Sequence, residues 1–344
     1  GVPPIDLAGS ILPARPAGSL STSFIYLTAF TRGLSPASLV WDIPPAADLS
    51  AQPLSSQSRG PMRLRIAQAN DYLNPAETVL ALVGVENVWR TARQFGLITD
   101  RNSLERAAFA PTVESLLGDL NLISVSQAFG TLANQGVLVG QALEQNPVNP
   151  ASRQPPALQP VAVLRVDENR SGRVLLEWKT AQTRPILTAQ LAYLMTDVLS
   201  DEPARWPSLG HPNPLEIGRL AAARLASSPS AESHWAIGYT PQRVAGVWLG
   251  SQETYGSSEL FSQAAAGLWH ALMQYSMRDL PSQEWSVPAG ISRIKVCDPS
   301  GMLPTRYCPN LVEEVFASGS EPLQADTLYQ VVPVNRQTGR LATV

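Results

Sequence analysis

Two apolar stretches, Trp235 to Tyr239 and Val244 to Leu249, are separated only by Thr240-Pro241-Gln242-Arg243. Four residues suffice for a hairpin turn and are far too few for the crossover a parallel pair needs. The segment therefore predicts two adjacent antiparallel strands. Val161 to Val166 and Arg173 to Trp178 flank a polar turn ending in Gly172 and predict a second hairpin. Helical signals lie around them. Asn74-Pro75-Ala76-Glu77 offers an N-cap, a proline at the first helical position and an acid at the third, before the apolar run Val79, Leu80, Leu82 and Val83. Val85 to Phe95 reads as a helix closed by Gly96. Ser124-Val125-Ser126-Gln127 has the pattern of a capping box and opens a helix that Gly136 ends. Thr188 opens another, with Leu191, Leu194, Val198 and Leu199 on one face, and a long helix is expected from Glu259 to Tyr275. Strands and helices mix without a strand–helix–strand rhythm. The expected fold class is α+β with an antiparallel sheet, not a doubly wound fold.

The length of 344 residues allows two domains, or one large domain with an appendix. The expected division is residues 1–290 and a small β-rich C-terminal appendix, residues 291–344. The pattern changes near Pro281 to Gly290 into short β-like pieces, Val312 to Phe316 and Thr327 to Val334. Gln141 to Pro160, rich in Pro, Gln and Asn, is either an ordered insertion or a flexible loop. A formal net charge of −3 argues against a nucleic-acid partner. No run of 18 apolar residues is present, so no membrane span is expected within this stretch, and Gly1 to Pro16 lacks the pattern of a signal peptide. The start reads as a loop, which points to a piece of a longer protein. Three scattered histidines and two cysteines make no metal-ligand pattern, so no metal or cofactor is expected. Cys297 and Cys308 are either a disulfide closing a short loop, which would suit an extracytoplasmic protein, or two free thiols.

One count bears on chemistry. Only two of the 25 basic residues are lysines, Lys179 and Lys295. A genome bias towards arginine accounts for this better than a thermophilic origin does. Any reaction that needs a lysine has two candidates.

Arg15-Pro16-Ala17-Gly18-Ser19, Phe24-Ile25-Tyr26-Leu27-Thr28-Ala29-Phe30 and Ser35-Pro36-Ala37-Ser38-Leu39-Val40-Trp41-Asp42 resemble the active-site entry of bifunctional, class A type penicillin-binding proteins. Further matches follow in order. Val83-Gly84-Val85-Glu86-Asn87-Val88, Gln94-Phe95-Gly96 and Ala128-Phe129-Gly130-Thr131-Leu132-Ala133-Asn134-Gln135-Gly136 are similar to the helical lobe. Trp235-Ala236-Ile237-Gly238-Tyr239-Thr240-Pro241 and Gly246-Val247-Trp248-Leu249-Gly250 are similar to the sheet, and Cys297-Asp298-Pro299-Ser300-Gly301 to the tail of some members. The resemblance implies a penicillin-binding protein/β-lactamase-like transpeptidase fold, an antiparallel sheet flanked by helices with an all-helical lobe. It also implies a role in peptidoglycan synthesis on the extracytoplasmic face of a bacterial membrane. The stem peptide or other cell-wall proteins would be partners. A glycosyltransferase domain and a membrane anchor would lie elsewhere in the full-length chain.

The family forms an acyl-enzyme on a serine, using S-x-x-K, S-x-N and K-T-G. The first motif aligns to Ser19-Leu20-Ser21-Thr22, where the lysine that would take the serine proton is Thr22. Residues three apart share a helix face, so the base position is right, but a threonine hydroxyl is no base near neutral pH. The second aligns to Asp71-Tyr72-Leu73, with Asp71 for serine and Leu73 for asparagine. A one-residue shift puts Tyr72 and Asn74 there instead and does not restore the motif. Counting back from Trp235 places the third at Arg224-Leu225-Ala226, and the following Ser227-Ser228-Pro229-Ser230 leaves room for a shift of one or two. Arginine keeps a charge without replacing lysine. Ser292-Arg293-Ile294-Lys295 and Lys179-Thr180-Ala181 match motifs by letter only.

The resemblance with three altered motifs implies a transpeptidase-like domain that has lost its activity, a scaffold or peptide-binding module. The alternative is an active acyltransferase on Ser19, with Asp71 or water as base. Ser19 reads as an old nucleophile or, better, as a helix N-cap. Asp71 reads as a replacement base or, better, as a surface loop acid. Arg224 reads equally as a carboxylate anchor and a solvated strand-edge charge. Trp235, Trp248 and Trp269 are expected in the core.

Overall fold

The computed structural model describes residues 13–43, 58–98, 112–142, 158–228, 233–250 and 258–342. Most of the Gln141 to Pro160 insertion, and Pro229-Ser230, lie outside them. The described chain enters through β1 (Arg15–Pro16) and a 3-10 turn, Gly18–Leu20, into α1 (Ser21–Thr31). Every residue of α1 from Ser21 to Phe30 is buried, as expected of a helix apolar on nearly all sides. β2 (Leu39–Asp42) and β3 (Gly60–Arg63) pair antiparallel and lead into α2 (Leu64–Ala69), α3 (Leu73–Val83) and α4 (Val85–Gln94). β4 (Asp119–Leu120) returns to β1, and α5 (Leu122–Ala133) follows. Phe24 of α1 meets Phe95 and Phe129 edge-on, with ring centres 5.7 and 6.2 Å apart. These helices form the lobe around α1.

β5 (Val137–Ala142), β6 (Leu158–Gln159), the hairpin β7 (Arg165–Asp167) and β8 (Val174–Glu177), and β9 (Gln182–Pro185) lie between the lobe and the sheet in sequence. α6 (Ala189–Ser200) and α7 (Glu202–Leu209) precede the sheet strands β10 (Ala222–Ser227), β11 (Ser233–Tyr239) and β12 (Val244–Gly250). α8 (Ser258–Met277) follows, then β13 (Ile291–Cys297) and β14 (Leu311–Ala317). The sheet runs β10-β11-β12, antiparallel throughout, and every residue of β11 is buried. Trp235, Ile237 and Tyr239 pack into the lobe, whereas Ala236 packs against Trp269 and Met273 of α8. Gly238 is required here, because an added Cβ would lie 2.4 Å from the Trp269 ring. In β10, Ala222 and Ala226 join the lobe core and Ala223 and Leu225 face α8. Arg224 shares the lobe-facing side, since strand residues alternate.

Several boundaries differ from expectation. α3 starts at Leu73, so Asn74 is not its cap; Asn74 Nδ2 instead donates to Asp42 Oδ1 at 2.9 Å. Pro75 still sits in the first turn, where amides have no helical partner. The Ser124 box lies inside α5, because Asn121 caps the helix earlier by accepting from the Ile123 amide at 2.8 Å. Thr188 does cap α6. Val161 to Leu164 is not strand, and Thr327 to Val334 makes only an isolated bridge from Val334 to Leu341. Val331 and Val332 are exposed, so this segment buries neither of them against a core.

β13 and β14 form one antiparallel pair, and Val315 enters the main core. Buried Glu314 accepts from Arg63 Nη1 at 2.6 Å and from Arg65. Arg65 also reaches Asp197 at 2.6 Å and Asp201 at 3.0 Å, and Arg63 reaches Asp298 at 2.7 Å. Cys297 and Cys308 are joined in a disulfide. Ser292 and Lys295 lie three apart in β13 and so on opposite faces.

Candidate functional site

The 3-10 turn before α1 lies against the end of β10. Gly18 has φ +56, and a Cβ on it would fall 2.1 Å from the Ser227 carbonyl oxygen. Only glycine permits this approach, and it puts Ser19 beside the strand. Ser19 Oγ accepts from the Ser227 amide at 3.1 Å and donates to Asp71 Oδ2. Asp71 reaches it from the turn between α2 and α3, where its own φ is +57, a left-handed value that Asp tolerates better than most residues.

Arg224 ties the three segments together. Its Nη2 donates to Asp71 Oδ1, to Thr22 Oγ1 and, at 3.1 Å, to the Ser19 carbonyl; its Nη1 donates to the Gln68 carbonyl at 2.7 Å. Thr22 Oγ1 in turn donates to the Ser19 carbonyl at 2.9 Å. Ser19 is 2% exposed, Thr22 1% and Arg224 3%, while the Asp71 side chain keeps 29%. Tyr26 lies buried in the same field. Burial pushes its hydroxyl well above the ordinary tyrosine value, with the Arg224 charge opposing and the Asp71 charge adding.

Four of the seven aligned positions therefore meet: Ser19, Thr22, Asp71 and Arg224. The other three bring no polar group. Leu73 opens α3 and packs against the lobe core, Leu225 packs towards α8, and Ala226 is buried opposite Trp235 in the sheet register. Ser19 is not an N-cap. It lies inside the 3-10 turn; the cap positions of that turn and of α1 are Ala17 and Leu20, whose apolar side chains cannot cap, and the Ser19 hydroxyl is turned across to Asp71. Asp71 is not a free loop acid, and Arg224 is not a solvated edge charge, since the alternation of β10 turns it inward. Trp235 and Trp269 are core residues as expected, and Trp248 is partly buried. Reading the sequence missed the Ser227 amide and the Gln68 carbonyl, because backbone groups leave no mark in residue identity. Gly18 was the available signal.

Chemically this is a closed network. The Ser19 hydroxyl has one donor and two acceptor directions; the donor and one acceptor are engaged. Asp71 accepts from Ser19 and is also the counter-ion of Arg224. Neither lysine is near: Lys179 is exposed and 3.5 Å from Glu177, and Lys295 is exposed on β13. Among the described residues no three His, Cys, Asp or Glu side chains are grouped to hold a metal ion, and no helix is long and apolar enough to cross a membrane.

Residues 287–331 match the family model described as "Penicillin-binding protein 1A, C-terminal domain". Penicillin-binding protein 1A of Clostridium novyi is 26% identical over 296 residues, covering 82% of this chain and 31% of the relative. That of Vibrio cholerae is 22% identical, covering 90% and 41%. The chain thus spans about a third of the length of the first curated relatives it matches. The crystal structure of penicillin-binding protein 1A from Haemophilus influenzae superposes with a TM-score of 0.68 at 18% identity, over 93% of this chain and 50% of that one. PonA1 of Mycobacterium tuberculosis gives 0.61 at 18% identity, over 81% and 73%. The sheet, the helical lobe and the tail pair thus make this chain an α+β domain with the transpeptidase fold of class A penicillin-binding proteins.

Proposed function

We propose that this chain is the transpeptidase-like domain of a peptidoglycan-synthesis protein and that it no longer performs transpeptidation. It serves as a scaffold or a peptide-binding module. In the full-length protein it stands beside a glycosyltransferase domain, on the extracytoplasmic face of a bacterial membrane. One observation carries the reading: the Ser19 hydroxyl is buried and locked between Asp71 and the Ser227 amide, with Thr22 where the proton-accepting lysine belongs. Loss of a positioned base costs on the order of 10²–10⁴ in rate, and burial removes access besides.

The second reading, an acyltransferase on Ser19 with Asp71 as base, is favoured by the direct Ser19–Asp71 hydrogen bond. Incubation with a fluorescent penicillin, followed by intact-mass measurement, separates the two. The expected result is no adduct. A stoichiometric adduct that disappears in Ser19→Ala would establish the second reading instead.

A further inference from the structure

The Arg224 guanidinium is held by one crowded end. Three acceptors converge on its Nη2: the Ser19 carbonyl at 3.1 Å, Thr22 Oγ1 and Asp71 Oδ1. That nitrogen carries two hydrogens, so it cannot serve all three fully. Its Nε, meanwhile, is shielded from solvent and has no hydrogen-bond partner among the described residues. An ammonium carries three hydrogens on a single atom, the number this nest asks for. The nest therefore has the valency of an ammonium site, although an arginine fills it.

Its place in the fold says where such an ammonium would come from. Thr22 Oγ1 is one wall of the nest, and position 22 is where the resemblance puts the lysine of S-x-x-K. Thr22 is 1% exposed and Arg224 3%, so the two side chains meet inside the protein. A lysine at position 22 would start from the same Cβ and run through the space that the guanidinium fills. Arg224 reaches that space from the opposite wall, β10, with Nη1 fixed on the Gln68 carbonyl at 2.7 Å. Asp71 is the carboxylate it pairs with; Glu114 feels the Asp71 charge but makes no ion pair with Arg224 among the described residues. A second buried cation here would have neither room nor a carboxylate of its own.

We propose that Arg224 is a built-in plug: from β10 it occupies the ammonium site that a lysine at position 22 would fill from α1, so the two cations exclude each other and the Ser19 site stays shut. The inference deepens the inactive reading of the domain and rests on it. A double-mutant cycle read by thermal denaturation of the whole chain tests it. Thr22→Lys is expected to lower Tm by about 5 °C, because it overpacks the nest and adds a second charge. Arg224→Ala is expected to lower Tm by about as much, because Asp71 and the Gln68 carbonyl lose their donor. Thr22→Lys combined with Arg224→Ala is expected to be more stable than either single variant, with the ammonium seated beside Asp71. Thr22→Met combined with Arg224→Ala fills similar space without a charge and should stay below the lysine pair. A lysine pair no more stable than the better of its two single variants overturns the proposal, and so does equal recovery with methionine. If neither single variant folds, the lysine pair decides alone: folded it supports the plug, unfolded it overturns it. The two readings fail separately. Additive losses in the cycle would end the plug and leave the inactive reading standing, whereas a penicillin adduct on Ser19 of the unmodified chain would end the inactive reading itself.

Discussion

Arg65 and Arg224 are both buried guanidiniums, yet their surroundings have opposite characters. Arg65 faces three carboxylates, Asp197, Asp201 and Glu314; it shares Glu314 with Arg63 and Asp197 with Arg293. Burial would raise the Glu314 carboxyl, but the Arg65 hydrogen bonds and the Arg65 and Arg63 charges outweigh it and leave Glu314 below its ordinary value. Arg224 faces one carboxylate, and its other partners are a hydroxyl and two carbonyls. The first cluster is a charge-saturated clamp between the tail pair and the lobe. The second stitches together the three segments that carry the motif positions. It needs an arginine because two separated nitrogens reach Gln68 on one side and Ser19, Thr22 and Asp71 on the other. A lysine offers three donors from a single atom and cannot span that distance.

Glu314→Gln is the sharpest way to break the contrast. It leaves Arg63 and Arg65 short of their shared carboxylate, and breaking a buried pair from one side costs about 3–5 kcal/mol. Urea denaturation at neutral pH should show the largest loss of any variant described here. The pH dependence has a definite sign. Because the folded Glu314 carboxyl lies below its ordinary value, its contribution is present above the usual carboxylate range and fades as pH falls through the depressed folded value. Below about pH 4, the unmodified chain should therefore lose stability more steeply than the variant. Parallel acid limbs would mean that the clamp carries no net electrostatic weight.

Asp71→Asn tests the other cluster and should cost less, about 1–3 kcal/mol. Arg224 keeps its carbonyl partners in this variant, and Asp71, with 29% of its side chain exposed, gives up less burial than Glu314. A loss as large as that of Glu314→Gln would show that the motif segments depend on a single ion pair as fully as the tail depends on its clamp.

The fold was legible in the sequence where local pattern and tertiary demand agree. The 235–249 hairpin, the helix from Val85 and the Thr188 cap all announce themselves through turn length, periodicity or a capping oxygen. The helix start at Ser124 was misplaced because a second capping residue, Asn121, lies upstream and is the one used; the start at Asn74 was misplaced because its side chain is drawn across to Asp42, and Tyr72 at the cap position makes no side-chain cap. At the site, the resemblance located the four positions that meet. Their states were misjudged because burial of Arg224 depends on which face of β10 it occupies. That parity is set by Ala222 and Ala226 fitting the lobe, a tertiary fact. The exchange of Ser19 from cap to cross-link rests on Gly18 and the Ser227 backbone, which no side-chain motif records.

Ser19→Ala should have the smallest effect, about 0.5–1.5 kcal/mol. The hydroxyl satisfies two groups, but Asp71 is partly exposed and can take a water in its place. Only the Ser227 amide is then left without a partner. A loss in this range means that Arg224 alone holds the segments together and that Ser19 is a minor tie. A loss above about 2 kcal/mol would instead make Ser19 a structural cross-link comparable to the ion pair, and would give this buried serine a reason to persist without any acyl chemistry.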